Sequence, residues 1–474
     1  MAFPAGIRRV HLVGVGGIGV SAAAKLLKYF GAEVSGSDLR PNEATAELRA
    51  AGIPVAFGHA AANVPAAIDL LVHSDAVPES NPERVEARRR GVRELSYFAF
   101  LGEFSAGRRT VAVSGTNGKS TTTALLGLML ERAGLDPTVI VGSKVNGWPD
   151  RNLRYGQSDL FVVEACEHHA NMLRLSPRVI VLTNIEEDHL DYYRDLAHIR
   201  ETFQAYIERL PPDGKLILNA DDHVCFHELR PTAPFVTYGL GAPADYAARV
   251  LSVGPAGQEF RLLHGGAAEE DLGICTLPLP GLFNVHNALA AAAAALQLGA
   301  TPESVRAALS GFTGLWRRFE RLGDFRGCTV VSDYGHHPAA IRETLAGARQ
   351  AFPRSRIVLV FQPHQRHRTR VLFNEFVAAC DGADLLVLPE IFDVAGRERA
   401  EDSGISSADL ASAVRERDAE HGRKRGVFFR ATLAETEALL HERAAPDDLL
   451  LLMGAGDIHA LARSLVSRSS DVRQ

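Results

Sequence analysis

Gly115-Thr116-Asn117-Gly118-Lys119-Ser120-Thr121 stands between the apolar run Thr110 to Val113 and a helix-like stretch from Thr122 to Ala133. A strand feeding a glycine turn and then a helix start aims several backbone N–H groups at one point, where the helix dipole adds partial positive charge. This is a phosphate-binding loop. In such a loop Lys119 reaches the outer phosphates while Ser120 or Thr121 holds a magnesium ion. Val113 occupies the place of the first glycine of the usual P-loop, so the pattern is the shorter G-T-x-G-K-[ST]-T.

Two further strand ends carry ligand-type residues. The run Asp159 to Val163 ends at Glu164, and Val179 to Thr183 ends at Asn184, followed by Glu186, Glu187, Asp188 and His189. Consecutive carboxyl ends of a parallel sheet lie along one edge, so Glu164, His189 and the loop at Lys119 are expected to share a cleft. Oxygen and imidazole ligands beside phosphates suit magnesium, which keeps several waters and takes few protein ligands. Glu167, His168 and His169 add a polar cluster; zinc is conceivable there, but no second pair at ligand spacing accompanies it.

Near the start, Val10 to Val13 leads into Gly14-Val15-Gly16-Gly17-Ile18-Gly19 and a helix-like stretch from Ser21 to Phe30, and a second strand, Glu33 to Ser37, ends at Asp38. Glycines that let a backbone approach a pyrophosphate, with an acid about 20 positions on for a ribose hydroxyl, fit a Rossmann βαβ unit. The motif implies a dinucleotide or nucleoside diphosphate without implying redox chemistry. A third strand, Leu70 to Ser74, leads to a turn-rich loop through Asn81-Pro82-Glu83, and Arg88 to Arg90 read as a solvated helix face. Far along the chain a third cluster gathers after strands: Asp333, His336 and His337, then His364, Arg366, Arg368 and Arg370, then Asp457 after Gly454-Ala455-Gly456. Guanidinium and imidazole groups at a sheet edge bind carboxylates or phosphates.

The elements that must hold these clusters are those of an α/β chain. A length of 474 residues suggests three domains. In the last segment the strands Thr329 to Ser332, Ile357 to Phe361, Leu385 to Leu388, Val427 to Phe429 and Leu449 to Met453 alternate with helical runs, predicting a second doubly wound sheet. Between the sheets, residues 219 to 275 read as an inserted or edge antiparallel region, and Asn287 to Leu298 as a helix. Glu398 to Asp402 read as a mobile loop and Ser464 to Gln474 as a frayed tail.

Composition narrows the class. Hydrophobic residues at 46% and charged residues at 23% are those of a globular protein, and a net charge of −6 gives no footprint for nucleic acid. No run approaches the ~18 apolar residues of a membrane span, and no leader pattern is present, so a cytoplasmic protein without membrane insertion is expected. Cys166, Cys225, Cys275, Cys328 and Cys380 include no C-x-x-C pair, which argues against a disulfide framework or a zinc knuckle.

Taken in order, the motifs resemble those of the Mur ligases. The resemblance spans nearly the whole chain: Gly14 to Gly19, Ser35 to Asp38, Gly115 to Thr123, Thr183-Asn184-Ile185, Asp188 to Tyr192, Asn284 and Asn287, Arg317-Arg318-Phe319-Glu320, Asp333 to Pro338, Phe361 to His364, and Gly454 to Ile458. It implies a three-domain α/β fold. A Rossmann-like N-terminal domain (1–107) would bind a UDP-sugar, a central P-loop ATPase domain with a mostly parallel sheet (108–314) would bind ATP, and a C-terminal Rossmann-like domain (315–474) would bind the amino acid and close. Hinges are expected near Gly107 and Gly314. Within the family the likeness is greatest to the branch that joins L-alanine to UDP-N-acetylmuramate through an acyl phosphate, with ATP and magnesium, as a monomer or weak homodimer.

Residue by residue, the resemblance implies that Gly14, Gly16, Gly17, Ile18, Gly19 and Asp38 hold the uridine diphosphate with His59 and Ser74. Gly115 to Thr121 would bind the ATP phosphates, with Ser120, Glu164 and His189 on metal. Asn284 and Asn287 resemble adenine contacts, Arg318 a phosphate contact, and Asp333 a nucleotide contact. His337, His364 and Arg368 would face the amino acid or acyl phosphate. Lys119, Glu164, His189, Arg318, His337 and Arg368 are thus the expected catalytic set.

Some positions depart from the family pattern. Phe283 stands where a histidine usually precedes Asn284, Gln365 replaces an arginine, Ala395 to Glu398 holds an extra residue at Arg397, and Cys166 interrupts the usual Glu-Ala-Asp-Glu. No lysine occurs from His189 to Gly214, where branches that use a carbamylated lysine place it. Three alternatives stay open: a ligase that attaches a whole tripeptide to the same UDP-sugar, a nicotinamide-dependent oxidoreductase, and a non-catalytic nucleotide-binding regulator. The oxidoreductase leaves Lys119, Glu164 and His189 without a role, and a regulator would be expected to have lost Lys119 or the metal ligands.

Overall fold

The computed structural model describes residues 6–189, 192–241, 243–265, 269–393 and 404–471. Three sheets organise the chain, each beginning where the sequence places an apolar run. The first has β1 (Arg9–Val13), β2 (Glu33–Asp38), β3 (Val55–Phe57), β4 (Leu70–His73) and β5 (Arg93–Ser96), all parallel in the order β3-β2-β1-β4-β5. Helices α1 (Ile18–Tyr29), α2 (Glu43–Ala50), α3 (Pro82–Arg89) and α4 (Tyr97–Ala106) connect them. Strand order reverses between β1 and β4, and a crevice at their carboxyl ends is where open α/β sheets take ligands. One sequence reading is corrected here. Asn81-Pro82-Glu83 is no loop: Asn81 Oδ1 accepts from the N–H of Glu83 and of Arg84, and proline takes the first helical position of α3, where its missing N–H costs nothing.

The second sheet has ten strands in the order β15-β14-β13-β12-β11-β10-β6-β9-β7-β8. They are β6 (Arg109–Ser114), β7 (Thr138–Ile140), β8 (Leu153–Arg154), β9 (Leu160–Glu164), β10 (Val179–Leu182), β11 (Lys215–Asn219), β12 (Phe235–Gly239), β13 (Tyr246–Gly254), β14 (Gly257–His264) and β15 (Glu270–Leu277). Its centre, β10, β6 and β9, is parallel and buried on both faces. The region expected to be antiparallel begins otherwise, since β11, β12 and β13 join in parallel. Helices α5 (Lys119–Arg132), α6 (Leu196–Ile207), α7 (Leu282–Gln297) and α8 (Pro302–Ser310) accompany the sheet. Most of the alanines of α7 are fully buried, as close packing of a strong helix former requires.

The chain divides into two compact bodies: Met1–Arg249, Phe260–Thr276 and Val285–Thr313 in one, Val250–Glu259, Leu277–Asn284 and Gly314–Gln474 in the other. In the first body the first two sheets share one apolar core, running from Val10 to Ala233. Phe104 meets Phe161 edge-on at 4.8 Å, Lys25 Nζ donates to Asp150 O at 2.8 Å and Asn152 Oδ1 at 3.0 Å, and Ser105 Oγ accepts from Ser176 N at 3.0 Å. A hinge at Gly107 would have to tear this core, so that expectation finds no physical support. Gly314, by contrast, stands at the border of the bodies with a φ of +91°, a conformation suited to glycine.

The second body carries the third sheet, in the order β16-β17-β21-β18-β19-β20: β16 (Glu320–Phe325), β17 (Cys328–Asp333), β18 (Ile357–Phe361), β19 (Leu385–Pro389), β20 (Gly426–Arg430) and β21 (Leu449–Met453). Only β16 is antiparallel, paired to β17 across a register shift between Arg321 and Gly323. Helices α9 (Pro338–Ala351), α10 (Arg366–Val371), α11 (Phe373–Ala379), α12 (Ser407–Glu420), α13 (Leu433–Arg443) and α14 (Ile458–Asp471) surround it. Ser464 onward was expected to fray, yet α14 runs to Asp471 because Ile458, Leu461, Ala462 and Leu465 fall on one buried stripe. Glu398 to Asp402 and Arg397 lie outside the described residues.

Candidate functional site

The phosphate loop is built as its sequence demands. Gly115 and Gly118 have φ of +134° and +83°, and a Cβ on Gly115 would lie 2.8 Å from Asn184 O. The loop is clamped by the segment after β10. Thr116 N donates to Asn184 O at 2.9 Å, Asn117 N to Asn184 Oδ1 at 2.8 Å, and Thr183 Oγ1 to Asn117 O at 2.6 Å. Gly118 caps α5, so the amides at the start of that helix have no side-chain cap and face the loop mouth. Asn287 closes against Gly118 and accepts from Thr122 Oγ1 at 3.4 Å. Ser120 and Thr121 are buried.

Lys119 folds back over the loop, donating to Gly115 O at 2.6 Å and Thr116 O at 2.9 Å. Its Nζ also lies 3.0 Å from both carboxylate oxygens of Glu167, bonding one of them. Glu167 is 3.4 Å from His189 Nε2 in turn. Lys119, Glu167 and His189 therefore form one chain at the sheet edge, as the sequence anticipates for Lys119 and His189. Burial works against both charges, but each offsets the other: Glu167 raises the Lys119 ammonium, and Lys119 lowers the Glu167 carboxyl. Glu164, the acid singled out at the strand end, accepts from Gly142 N at 2.7 Å instead. Burial, then Glu167, pushes the Cys166 thiol up to about 12, so it is a neutral packing group.

Local strain marks the same place. His169, Ala170 and His189 all have φ between +52° and +54° without being glycine. The turn at His169 and Ala170 brings the His168 ring onto the His189 ring, 4.2 Å between centroids and 16° from parallel. Leu190 and Asp191 of the quoted motif lie outside the described residues.

At the first sheet, Gly16 N donates to Asp38 Oδ2 at 2.8 Å, linking the turn after β1 to the end of β2. A Cβ on Gly19 would sit 2.6 Å from the Tyr97 ring, and one on Gly14 3.0 Å from Ser74 Cβ, so both glycines are required by close packing. Gly17 caps α1, which begins at Ile18. His59 follows β3, and Ser74 follows β4 with its N–H on Val13 O at 2.9 Å. The loop, Asp38, His59 and Ser74 thus lie at the carboxyl ends of adjacent strands. His59 Nδ1 contacts Glu83, a buried carboxyl that four side-chain donors hold at about 2 against the opposing effect of burial.

The expected residues of the second body are described there alone. Asp333 ends β17 and accepts from Phe319 N at 2.8 Å and Gly335 N at 2.7 Å, while burial raises its carboxyl. Arg318 lies 5.2 Å over the Tyr334 ring, whereas its neighbour Arg317 is buried and donates to the carbonyls of Gly454 and Gly456. His337 precedes α9, and the ring of His364 stacks on Phe392 with a centroid distance of 5.7 Å. Gln365 holds a φ of +69° at the start of α10, the helix that carries Arg368. Asn284 donates to Pro280 O at 2.7 Å.

Comparison with known proteins fits this geometry. Residues 9–109, 113–295 and 317–456 match in turn the family descriptions "Mur ligase family, catalytic domain", "Mur ligase middle domain" and "Mur ligase, glutamate ligase domain". A UDP-N-acetylmuramate–L-alanine ligase of Geobacter sp. (strain M21) is 40% identical over 463 residues, 98% of each chain. The chain belongs to the Mur ligase family. A Sorangium cellulosum (strain So ce56) protein of the same name is 39% identical, covering 98% of this Mur ligase and 96% of that protein. Among solved structures, the UDP-N-acetylmuramate-alanine ligase of Thermotoga maritima aligns over 98% of this chain and 99% of its own, with 29% identity and a TM-score of 0.81. The murein peptide ligase of Psychrobacter arcticus 273-4 aligns with a TM-score of 0.69 at 24% identity, a likeness of fold.

Oxygen and imidazole groups of the kind a divalent cation takes stand near the phosphate loop. Glu167 Oε2 is buried and accepts no hydrogen bond among the described residues, Ser120 is in the first turn of α5, Glu164 ends β9 and His189 follows β10, although no three His, Cys, Asp or Glu side chains among the described residues are gathered around one metal position. The sequence placed Glu167 in a polar cluster with His168 and His169 but did not pair it with Lys119.

Proposed function

We propose that this Mur ligase joins L-alanine to the carboxylate of UDP-N-acetylmuramate with hydrolysis of ATP to ADP and phosphate, as a step in peptidoglycan precursor synthesis in the cytoplasm. The observation that carries the reading is the Lys119–Glu167–His189 chain on a phosphate loop, in a fold whose first sheet reverses strand order between β1 and β4, the place where such sheets take a nucleotide. Among the described residues no helix is long and apolar enough to cross a membrane.

A carboxylate is a poor electrophile. Attack of its oxygen on the γ-phosphorus of ATP gives an acyl phosphate and ADP; the amine of L-alanine then attacks the carbonyl carbon, loses a proton, and inorganic phosphate leaves. Lys119 and Arg318 offset charge on the transferring phosphoryl group, and the amides of Gly115 to Thr121 cradle the phosphates. Magnesium, held by Ser120, Glu164 and His189, would neutralise phosphate oxygens. Asn287 and Asn284 serve the adenine, Asp333 the nucleotide, and His337, His364 and Arg368 the amino acid. Residues 1–107 bind the UDP-sugar, 108–314 ATP, and 315–474 close on the site to exclude water from the acyl phosphate.

Phosphate release from ATP in the presence of UDP-N-acetylmuramate, scanned over the twenty amino acids and the tripeptide, tests the reading. L-Alanine is expected to give the highest kcat/KM. Preference for the tripeptide would move the chain to the recycling branch, and release independent of the UDP-sugar would remove the ligase reading.

A further inference from the structure

Glu83 is a buried charge that the proposed reaction does not use. It sits on the first turn of α3, fully sealed from solvent, under the carboxyl edge of the first sheet. Its carboxylate collects four donors: His11 Nε2 at 2.8 Å, Ser37 Oγ at 2.6 Å, His59 Nδ1 at 2.8 Å and Asn63 Nδ2 at 3.1 Å. Behind it, His11 Nδ1 meets Ser35 Oγ at 2.8 Å, so the network runs from β1 and β2 to the end of β3. A buried anion is costly even when fully bonded, and well-packed apolar groups of the same volume often serve stability as well or better. Such a network is best justified by what it orients.

Its members differ in one respect. His11 is 1% exposed and Ser37 is fully buried, whereas Ser35, Asn63 and the His59 side chain, at 13%, are partly exposed, and of these only His59 has a ring nitrogen left over from the network. His59 lies two residues beyond β3, and Ser37 precedes Asp38, whose carboxylate holds the Gly16 amide. His59 is therefore the end of the network at the nucleotide crevice. With one ring nitrogen committed to a carboxylate, the other is the atom presented to a ligand, as in histidines oriented for metals or substrates by a second group.

We propose that Glu83 is a positioning residue: it takes the Nδ1–H of His59, and so fixes the imidazole with Nε2 directed at the nucleoside diphosphate bound at the carboxyl ends of β1 to β4. The inference rests on the UDP-sugar reading of the first sheet and adds to it the residue that sets the geometry of its histidine. Asn63, which also bonds Gly58 O at 2.8 Å, braces the same turn.

Calorimetric titration of the full chain with UDP-N-acetylmuramate, without ATP, tests it. Glu83→Gln removes the charge and turns one acceptor into a donor, and is expected to weaken binding by about thirtyfold, the scale of a hydrogen bond to a charged group. Because Glu83→Gln can itself unfold the domain, a second pair decides independently. In His59→Asn the amide nitrogen stands in for Nδ1 and nothing replaces Nε2; in His59→Gln it stands in for Nε2. His59→Asn, which keeps the Glu83 contact and loses the ligand contact, and His59→Gln, which loses the Glu83 contact that fixes the side chain, are each expected to lose about thirtyfold, and nitrogen-15 spectra of the wild type are expected to show a slowly exchanging proton on His59 Nδ1. A folded Glu83→Gln or His59→Gln protein that binds within twofold of wild type overturns the proposal. Wild-type protein that takes up no UDP-sugar at all overturns the reading beneath it.

Discussion

Lys119→Ala is expected to lower UDP-N-acetylmuramate- and L-alanine-dependent phosphate release by about 10³-fold, the upper range for losing one preorganised charge at a transferring group. The ammonium is held by Gly115 O, Thr116 O and Glu167, within 3.0 Å of each, so it is oriented before any phosphate arrives. Alanine removes the charge and leaves the buried Glu167 with His189, 3.4 Å away, as its remaining side-chain partner. Affinity for the UDP-sugar should stay within about twofold, because that crevice belongs to a different sheet. A coupled phosphate assay and a titration on the same preparation separate the two effects. A rate within tenfold of wild type would take the loop out of the reaction.

Glu167→Gln should damage both stability and turnover. The substitution keeps the volume and one acceptor oxygen but removes the counter-charge 3.0 Å from Lys119 and 3.4 Å from His189. Breaking a buried pair by removing one partner costs about 3–5 kcal/mol when the survivor has nothing else. Lys119 keeps two carbonyl acceptors, so a loss near ~2 kcal/mol is expected in denaturant unfolding, with kcat lower by about 10²-fold. The Lys119→Ala, Glu167→Gln double variant is expected to be more stable than the sum of the single effects, because no unpaired charge then stays inside. Strict additivity would mean that the pair is not coupled. This prediction separates Glu167 from Glu164, whose carboxylate is engaged by the Gly142 amide.

The fold was readable where backbone chemistry leaves a local trace. Apolar runs ending in glycine turns gave β1, β6 and the phosphate loop, and the alternation of strands and helices gave the third sheet. The pairing of Glu167 with Lys119 escaped because the acid follows the strand rather than ending it, and only the left-handed turn at His169 and Ala170 explains how the adjoining chain folds back on His189. A left-handed alanine such as Ala170 has no sequence signature, and histidine carries only a weak one. Glu83 was legible in principle: Asn-Pro-Glu is an N-cap followed by a first-turn proline, a helix signal read as a loop. The final helix was also there to be read in the spacing of Ile458, Leu461, Ala462 and Leu465. By contrast β16 has a weak pattern, since Gly323 sits at a register shift in its pairing with β17.

In the proposed reaction a sugar-linked carboxylate, a triphosphate and an amine meet through an acyl phosphate. UDP-N-acetylmuramate labelled with oxygen-18 in its carboxylate, turned over with ATP and L-alanine, measures this directly by mass spectrometry of the released phosphate. Phosphate carrying one atom of the label per ligation is the expected result. Phosphate released without label, while the amide product accumulates, would contradict it.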